Sequence, residues 1–223
     1  MDANTGVEHT RERPSVSLRE KAYETIKLRI VTCALKPGEY INESRLSAEV
    51  GIGRTPVHQA LDRLMLEGMI EIIPRKGAIV SSFRVNEVLQ LAEARLVNEA
   101  YCARLAAERA SALNVARLED FLGQTGHWAP LRNVEKLALL DRAFHQELAR
   151  AAQNHTLAEL LRNLHERSLR FWFVSPGTPD RYERACRQHE AILAAIRRRD
   201  PDTAETAMRA HIESFRESMT RLL

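Results

Sequence analysis

Apolar residues carry no rhythm over residues 1–16, which also contain Pro14, and a mobile tail is expected there. From Ser17 a helical period sets in. Leu18, Ala22, Ile26, Ile30 and Cys33 fall on one face, and Ser17 with Glu20 has the spacing of a capping box. Pro37-Gly38 stops this helix, and Asn42 caps a short second one through Val50. Gly51-Ile52-Gly53 is a tight break before a third helix over 54–67. There Val57, Leu61 and Leu64 point one way, while Arg54, His58 and Gln59 lie elsewhere. Two short β-like runs, 69–73 and 78–82, flank a turn of Pro74, Arg75, Lys76 and Gly77. Three helices and a basic hairpin over 17–83 predict a winged helix-turn-helix.

Beyond residue 84 the pattern is helical throughout. Helices are predicted over 85–110, 114–124, 134–152, 156–173, 179–199 and 202–221. The breaks between them are 126–130, Asn154, Ser175-Pro176-Gly177 and Asp200-Pro201. The expected fold is mostly α: a winged head and a second domain, 84–223, built as an antiparallel bundle of six helices. The boundary is placed at 82–85.

Composition narrows this picture. Of 223 residues only 5% are aromatic, and 9 are Gly and 8 Pro, which argues against a sandwich or barrel with its many strands and turns. No apolar run reaches the ~20 residues that span a bilayer, and the polar start lacks the apolar core of a signal peptide. Cys33, Cys102 and Cys186 are odd in number and far apart, so no disulfide framework is expected and a cytoplasmic setting is the default. The net charge of +3 is mild, so any basic surface must be local.

A helix-turn-helix reads DNA by laying its second helix in the major groove, with base-edge donors near the start of that helix and phosphate contacts around it. Here Arg54, Thr55 and His58 open that helix, Arg45 lies on the helix before it, and Arg75, Lys76 and Gly77 tip the wing. Pro56 costs little in the first turn, and Thr55 is expected to cap and to meet a phosphate. The bland alternative, a solvated basic face, loses weight because turn, helix lengths and hairpin are all in register.

This segment resembles the GntR family of bacterial transcription regulators. The likeness is carried by Leu35-Lys36-Pro37-Gly38, Asn42-Glu43-Ser44-Arg45-Leu46, Arg54-Thr55-Pro56-Val57, Glu67-Gly68-Met69-Ile70 and Arg75-Lys76-Gly77. It implies a dimeric reader of a near-palindromic operator in double-stranded DNA, with contacts from Arg45, Arg54, Thr55 and Gly77. His58-Gln59 stands where the family usually has Arg-Glu, so base preference at that point is open.

Four histidines outside the head carry no shared pattern: His9, His127, His155 and His165. Three others do. Asp141 and His145 are four apart on one helix, His189 lies in the next-to-last helix and His211 in the last, near their apolar stripes. One carboxylate and three imidazoles suit Zn²⁺ or Ni²⁺. Three separate histidines at the core edge, each hydrogen-bonded to a neighbour, satisfy the spacing as well.

Residues 85–221 in turn resemble the FCD ligand-sensing domain that follows such winged heads. The matching stretches are Arg95-Leu96-Val97-Asn98-Glu99, Asp141-Arg142-Ala143-Phe144-His145, Gln188-His189-Glu190-Ala191-Ile192 and the run to His211. The resemblance makes Asp141, His145, His189 and His211 the ligands of a divalent transition metal, and makes a small carboxylate the effector. Arg95 is the candidate partner of that carboxylate, with an ion pair to Glu99 as its alternative. Asn163, Arg170 and Trp172 are further candidates for the effector cavity. A homodimeric repressor with no enzymatic activity and no membrane contact is the expectation. A purely structural metal in a DNA-binding protein is the alternative. A metal hydrolase is disfavoured, because no nucleophile motif and no placed general base accompany the cluster.

Overall fold

Ser17 starts the first helix as its spacing predicts. Its Oγ accepts a hydrogen bond from the Glu20 amide at 3.2 Å and opens α1 (Leu18–Val31). The computed structural model describes residues 16–75, 77–82, 85–174 and 179–220. The expected tail, except Val16, therefore lies outside the described residues, as do Lys76, the 83–84 part of the boundary and the break at Ser175-Pro176-Gly177. Leu18 is exposed and Cys33 lies beyond the helix end, so the buried face of α1 is Ala22, Tyr23, Ile26, Lys27, Ile30 and Val31.

The Asn42 side chain accepts from the Arg45 amide at 3.0 Å and caps α2 (Glu43–Val50), which ends on Gly51 in the left-handed region at φ 66°. α3 (Arg54–Leu66) begins on Gly53 with no side-chain cap. Thr55 sits inside its first turn, so the expected capping role falls away. The wing pairs β1 (Ile70–Ile73) with β2 (Gly77–Val80) antiparallel, Ile70 opposite Val80 and Ile73 opposite Gly77. Gly77 takes φ 90°, which only a residue without a Cβ adopts freely.

The body is helical among the described residues: α4 (Val85–Arg109), α5 (Ala112–Trp128), α6 (Val134–Ala151), α7 (His155–Leu169), α8 (Phe171–Val174), α9 (Pro179–Arg197) and α10 (Pro201–Thr220). Two boundaries differ from the pattern. Ser111, not Asn114, caps α5; Asn114 is its capping-box partner, and the helix runs through Gly126 to Trp128 because a mid-helix glycine costs only ~1 kcal/mol. The helix predicted over 156–173 divides at Arg170 into α7 and the one-turn α8.

Each half has its own apolar core. Ile26, Ile30, Val57, Leu61, Leu64 and Val80 pack in the head; Leu105, Leu118, Leu148, Ile192 and Ile196 pack in the body. Ala138 of α6 and Leu169 of α7 join the head's core, so the two halves are in direct apolar contact.

Candidate metal centre and nucleic-acid interface

α6 carries Asp141 and His145 on one face, α9 brings His189 and α10 brings His211. One ligand atom from each lies within 4.8 Å of all the others, and all four residues are buried. Octahedral ligands across a metal from one another stand about 4 Å apart, twice a typical metal–nitrogen bond. The sequence spacing had left open three unrelated histidines; the fold gathers them instead.

The neighbours of these rings decide what the cluster can do. His145 Nδ1 lies 2.7 Å from Glu99 Oε2, and Arg95 Nε donates to Glu99 Oε1 at 2.5 Å. His211 Nδ1 lies 3.1 Å from the Gln188 amide oxygen. With those nitrogens protonated as donors, the other nitrogen of each ring keeps its lone pair, and that of His145 lies 3.9 Å from Asp141 Oδ1. Outer carboxylates and amides orient metal-ligating imidazoles in this way. The buried Nε2 atoms of His145 and His189 have no hydrogen-bond partner among the described residues. Buried lone pairs left without partners are costly, and a cation would satisfy them. His189 is further fixed by stacking on Phe144, ring centres 4.3 Å apart.

Protonation states agree with this chemistry. Burial pushes the His189 imidazole down to about 3, and burial with His189 and His145 alongside pushes His211 well below its ordinary value. Burial works against the Asp141 carboxylate, but the His165 hydrogen bond and the surrounding rings hold it well below the usual range. Neutral imidazoles and an ionised carboxylate are the forms that bind a divalent metal. The residues present therefore fit a transition-metal ion.

His165, which carried no pattern in the sequence, belongs to this site. It is buried in α7, its Nε2 is 3.1 Å from Asp141 Oδ2, and its ring centre is 4.3 Å from that of His145. His127 lies inside α5 rather than in a break, and His155 is exposed at the start of α7.

Two cavities touch the cluster. A small one of about 40 Å³ is lined by Arg95, Asp141, Trp172, Arg181 and His211. A larger one of about 390 Å³ has Glu99, Cys102, His145 and His165 in its wall, with Arg142, Arg150 and Arg162 around them. The latter falls in the size range of small-molecule sites. Of the expected effector residues, Arg95 and Trp172 line the small cavity. Arg95 is already paired with Glu99 and donates to Ser168 Oγ at 2.9 Å. Asn163 and Arg170 face elsewhere and leave the set: Asn163 Nδ2 donates to the Glu67 carbonyl at 3.0 Å, and Arg170 donates to the Ser81 carbonyl. Both hold the head to the body, a docking that no single-helix period encodes.

On the head, Arg54, Thr55 and His58 are exposed on the first turns of α3, and Arg75 and Gly77 are exposed on the wing. Arg45 is exposed and paired with Glu49 at 2.7 Å. His58 Nδ1 is 3.1 Å from Glu43 and its Nε2 is 3.7 Å from Asp62, so acids on both sides raise its pKa, the Glu43 hydrogen bond most.

Residues 18–80 match the family described as bacterial regulatory proteins, gntR family, and residues 90–214 match the FCD domain. The chain belongs to the GntR family of transcription regulators, with an FCD domain as its body. The HTH-type transcriptional repressor RspR of Escherichia coli is 27% identical over 213 residues, covering 96% of this chain and 93% of the relative. The Nta operon transcriptional regulator of Aminobacter aminovorans is 31% identical over 195 residues, covering 86% and 90%. Among solved structures, E. coli McbR/YncC superposes with a TM-score of 0.84 at 20% identity, covering 92% of this chain and 98% of that one. A GntR regulator of Rhodococcus sp. RHA1 gives 0.78 at 15% identity, covering 93% and 100%. These two likenesses establish the fold. The family is one of transcription regulators rather than enzymes, and its GntR head implies DNA binding. Among the described residues no helix is long and apolar enough to cross a membrane.

Proposed function

We propose that this GntR regulator is a homodimeric repressor of a near-palindromic operator, released by a small organic or sugar acid bound at a metal in its FCD body. The ligands are Asp141, His145, His189 and His211, and Zn²⁺ or Ni²⁺ suits that donor set. When bound, the metal would offer open positions to a carboxylate. The chain's own residues do the remainder: Glu99 and Gln188 orient His145 and His211, and all four ligand side chains are themselves buried. Arg54, Thr55, Arg75 and Gly77 face DNA from the head, with Arg45 and His58 engaged by nearby acids until phosphates displace them.

The carrying observation is a buried four-ligand cluster with a cavity of about 390 Å³ against His145. A closed, purely structural metal would need no such space. Selection from randomised duplex DNA supplies an operator. A thermal-shift screen of organic and sugar acids against Zn²⁺- or Ni²⁺-loaded protein finds the effector. Saturating effector is expected to change operator affinity by about 5–150-fold, the ordinary span of an allosteric coupling. Asp141→Asn is expected to abolish both the effect and metal uptake. Equal operator affinity with and without a bound acid would refute the sensing role.

A further inference from the structure

The end of the DNA-reading helix is held by the same helix that braces the metal cluster. Glu67 caps the C-terminus of α3. Its carbonyl accepts from Asn163 of α7, and its carboxylate takes Lys27 Nζ at 2.9 Å and the Tyr23 hydroxyl at 2.7 Å. Lys27 Nζ is also ion-paired with Glu166 of α7, and both side chains are 1% exposed. Glu166 takes Arg142 of α6 at 2.5 Å, and Arg142 reaches Glu24 of α1 at 3.8 Å. Charges of alternating sign therefore run from the body through Glu166 and Lys27 to Glu67, the cap of the reading helix.

This chain of pairs is one residue out of step with the cluster. α6 presents Asp141 to the cluster and Arg142 to the junction. α7 presents His165 to the cluster and Glu166 to the junction. The cross-helix pair Asp141–His165 thus lies beside the cross-helix pair Arg142–Glu166 on the same two rigid helices.

We propose that α7 is the coupling element: it transmits the state of the metal site to the reading helix through Asn163–Glu67 and Glu166–Lys27–Glu67. The claim rests on the reading of the cluster as a metal site. An ion that draws Asp141 Oδ1 moves Oδ2 and the His165 hydrogen-bonded to it. A helix turns as a unit, so a shift of His165 is a shift of Glu166 and, one turn earlier, of Asn163. Buried ion pairs tolerate little displacement before they lose their geometry, and the head must follow or let go.

The test uses Zn²⁺ alone and the full chain. Hydrogen–deuterium exchange is followed at the last turn of α3, with Zn²⁺ uptake measured by calorimetry on the same samples. In the native protein Zn²⁺ changes exchange there. Glu166→Gln keeps shape and leaves Lys27 paired with Glu67; Asn163→Leu removes one hydrogen bond and no charge, and serves if the first variant folds poorly. Either is expected to reduce the Zn²⁺ response of α3 by about 2- to 30-fold, the span of mutations along a coupling route, while calorimetry gives native Zn²⁺ affinity. A full response in both variants overturns the relay. So does a loss of response that merely tracks lost Zn²⁺ affinity, and so does a native α3 that Zn²⁺ leaves unmoved. Failure of the sensing role reads out separately, as operator affinity indifferent to effector.

Discussion

The reading face of the head and the interior of the body use polar residues in opposite ways. Arg45, Arg54, His58 and Arg75 stand in solvent, paired if at all with exposed acids. Asp141, His145, His189, His211, Arg95, Glu99 and Glu166 are buried in the body, and Lys27 of α1 is buried where the head meets it. Exposed ion pairs contribute ~0–1 kcal/mol, so the reading face is free to be chosen for its partner. A buried charge is tolerated only when its neighbours satisfy it, so each buried polar group implicates others. The reading face is therefore modular, and the interior is a network, shared by body and junction, that one residue can undo.

The network breaks most readily at Lys27. Lys27→Ala leaves Glu166 and Glu67 without their shared cation, and removing one partner of a buried pair costs about 3–5 kcal/mol. Urea unfolding should show that loss. The double change Lys27→Met with Glu166→Gln should recover most of it, because both fully buried charges go together, while the partly exposed Glu67 keeps Arg63 at 3.3 Å and Arg142 keeps Glu24 at 3.8 Å. A single variant as stable as the native protein would mean that the junction charges are hydrated, and the contrast between the two regions would fail.

Much of this was legible in the chain. Caps at Ser17 and Asn42 and the Gly51 turn follow local rules, and the structure has them where the pattern puts them; the wing is there too, with its second strand at Gly77–Val80 instead of 78–82. The Asp141–His145 spacing placed two candidate ligands on one face, and the fold brings His189 and His211 to them. His165 was not legible, because its partner lies on another helix and no periodic rule links the two. A signal did exist: α6 and α7 form a short-looped hairpin, and folding it about Gln153 sets Asp141, twelve residues before, against His165, twelve after. Lys27 carried one too, a charge on the apolar arc of α1 between Tyr23 and Ile30. Asn163 and Arg170 had none, since their partners, the Glu67 and Ser81 carbonyls, depend on how two domains dock.

His165 sharpens the contrast within the body itself. It binds the Asp141 oxygen that faces away from the cluster, which is the place of an outer-sphere partner. His165→Phe keeps a ring of similar size and removes the hydrogen bond. Calorimetric Zn²⁺ affinity is expected to fall by about 10–100-fold, the usual cost of losing such a partner. Unchanged affinity would leave His165 as core filling and return the site to its four ligands.

Arg54 gives the smallest expected effect on folding and tests the other side of the comparison. It is exposed at the first position of α3, and the described part of the head buries its core behind it on Val57, Ala60, Leu61 and Leu64. Arg54→Ala removes an exposed side chain that is not part of that buried core, so unfolding free energy should stay within about 0.5 kcal/mol of native. On the selected operator the same change removes a fork suited to guanine, and a bidentate base contact discriminates by ~1–3 kcal/mol. Specific binding should therefore collapse toward the non-specific level, while the residual salt-dependent affinity for unrelated duplex survives on the remaining cations. A variant that lost both kinds of binding equally would make Arg54 a phosphate contact. One that lost stability instead would tie the reading face to the core, and the modularity of that face would be wrong.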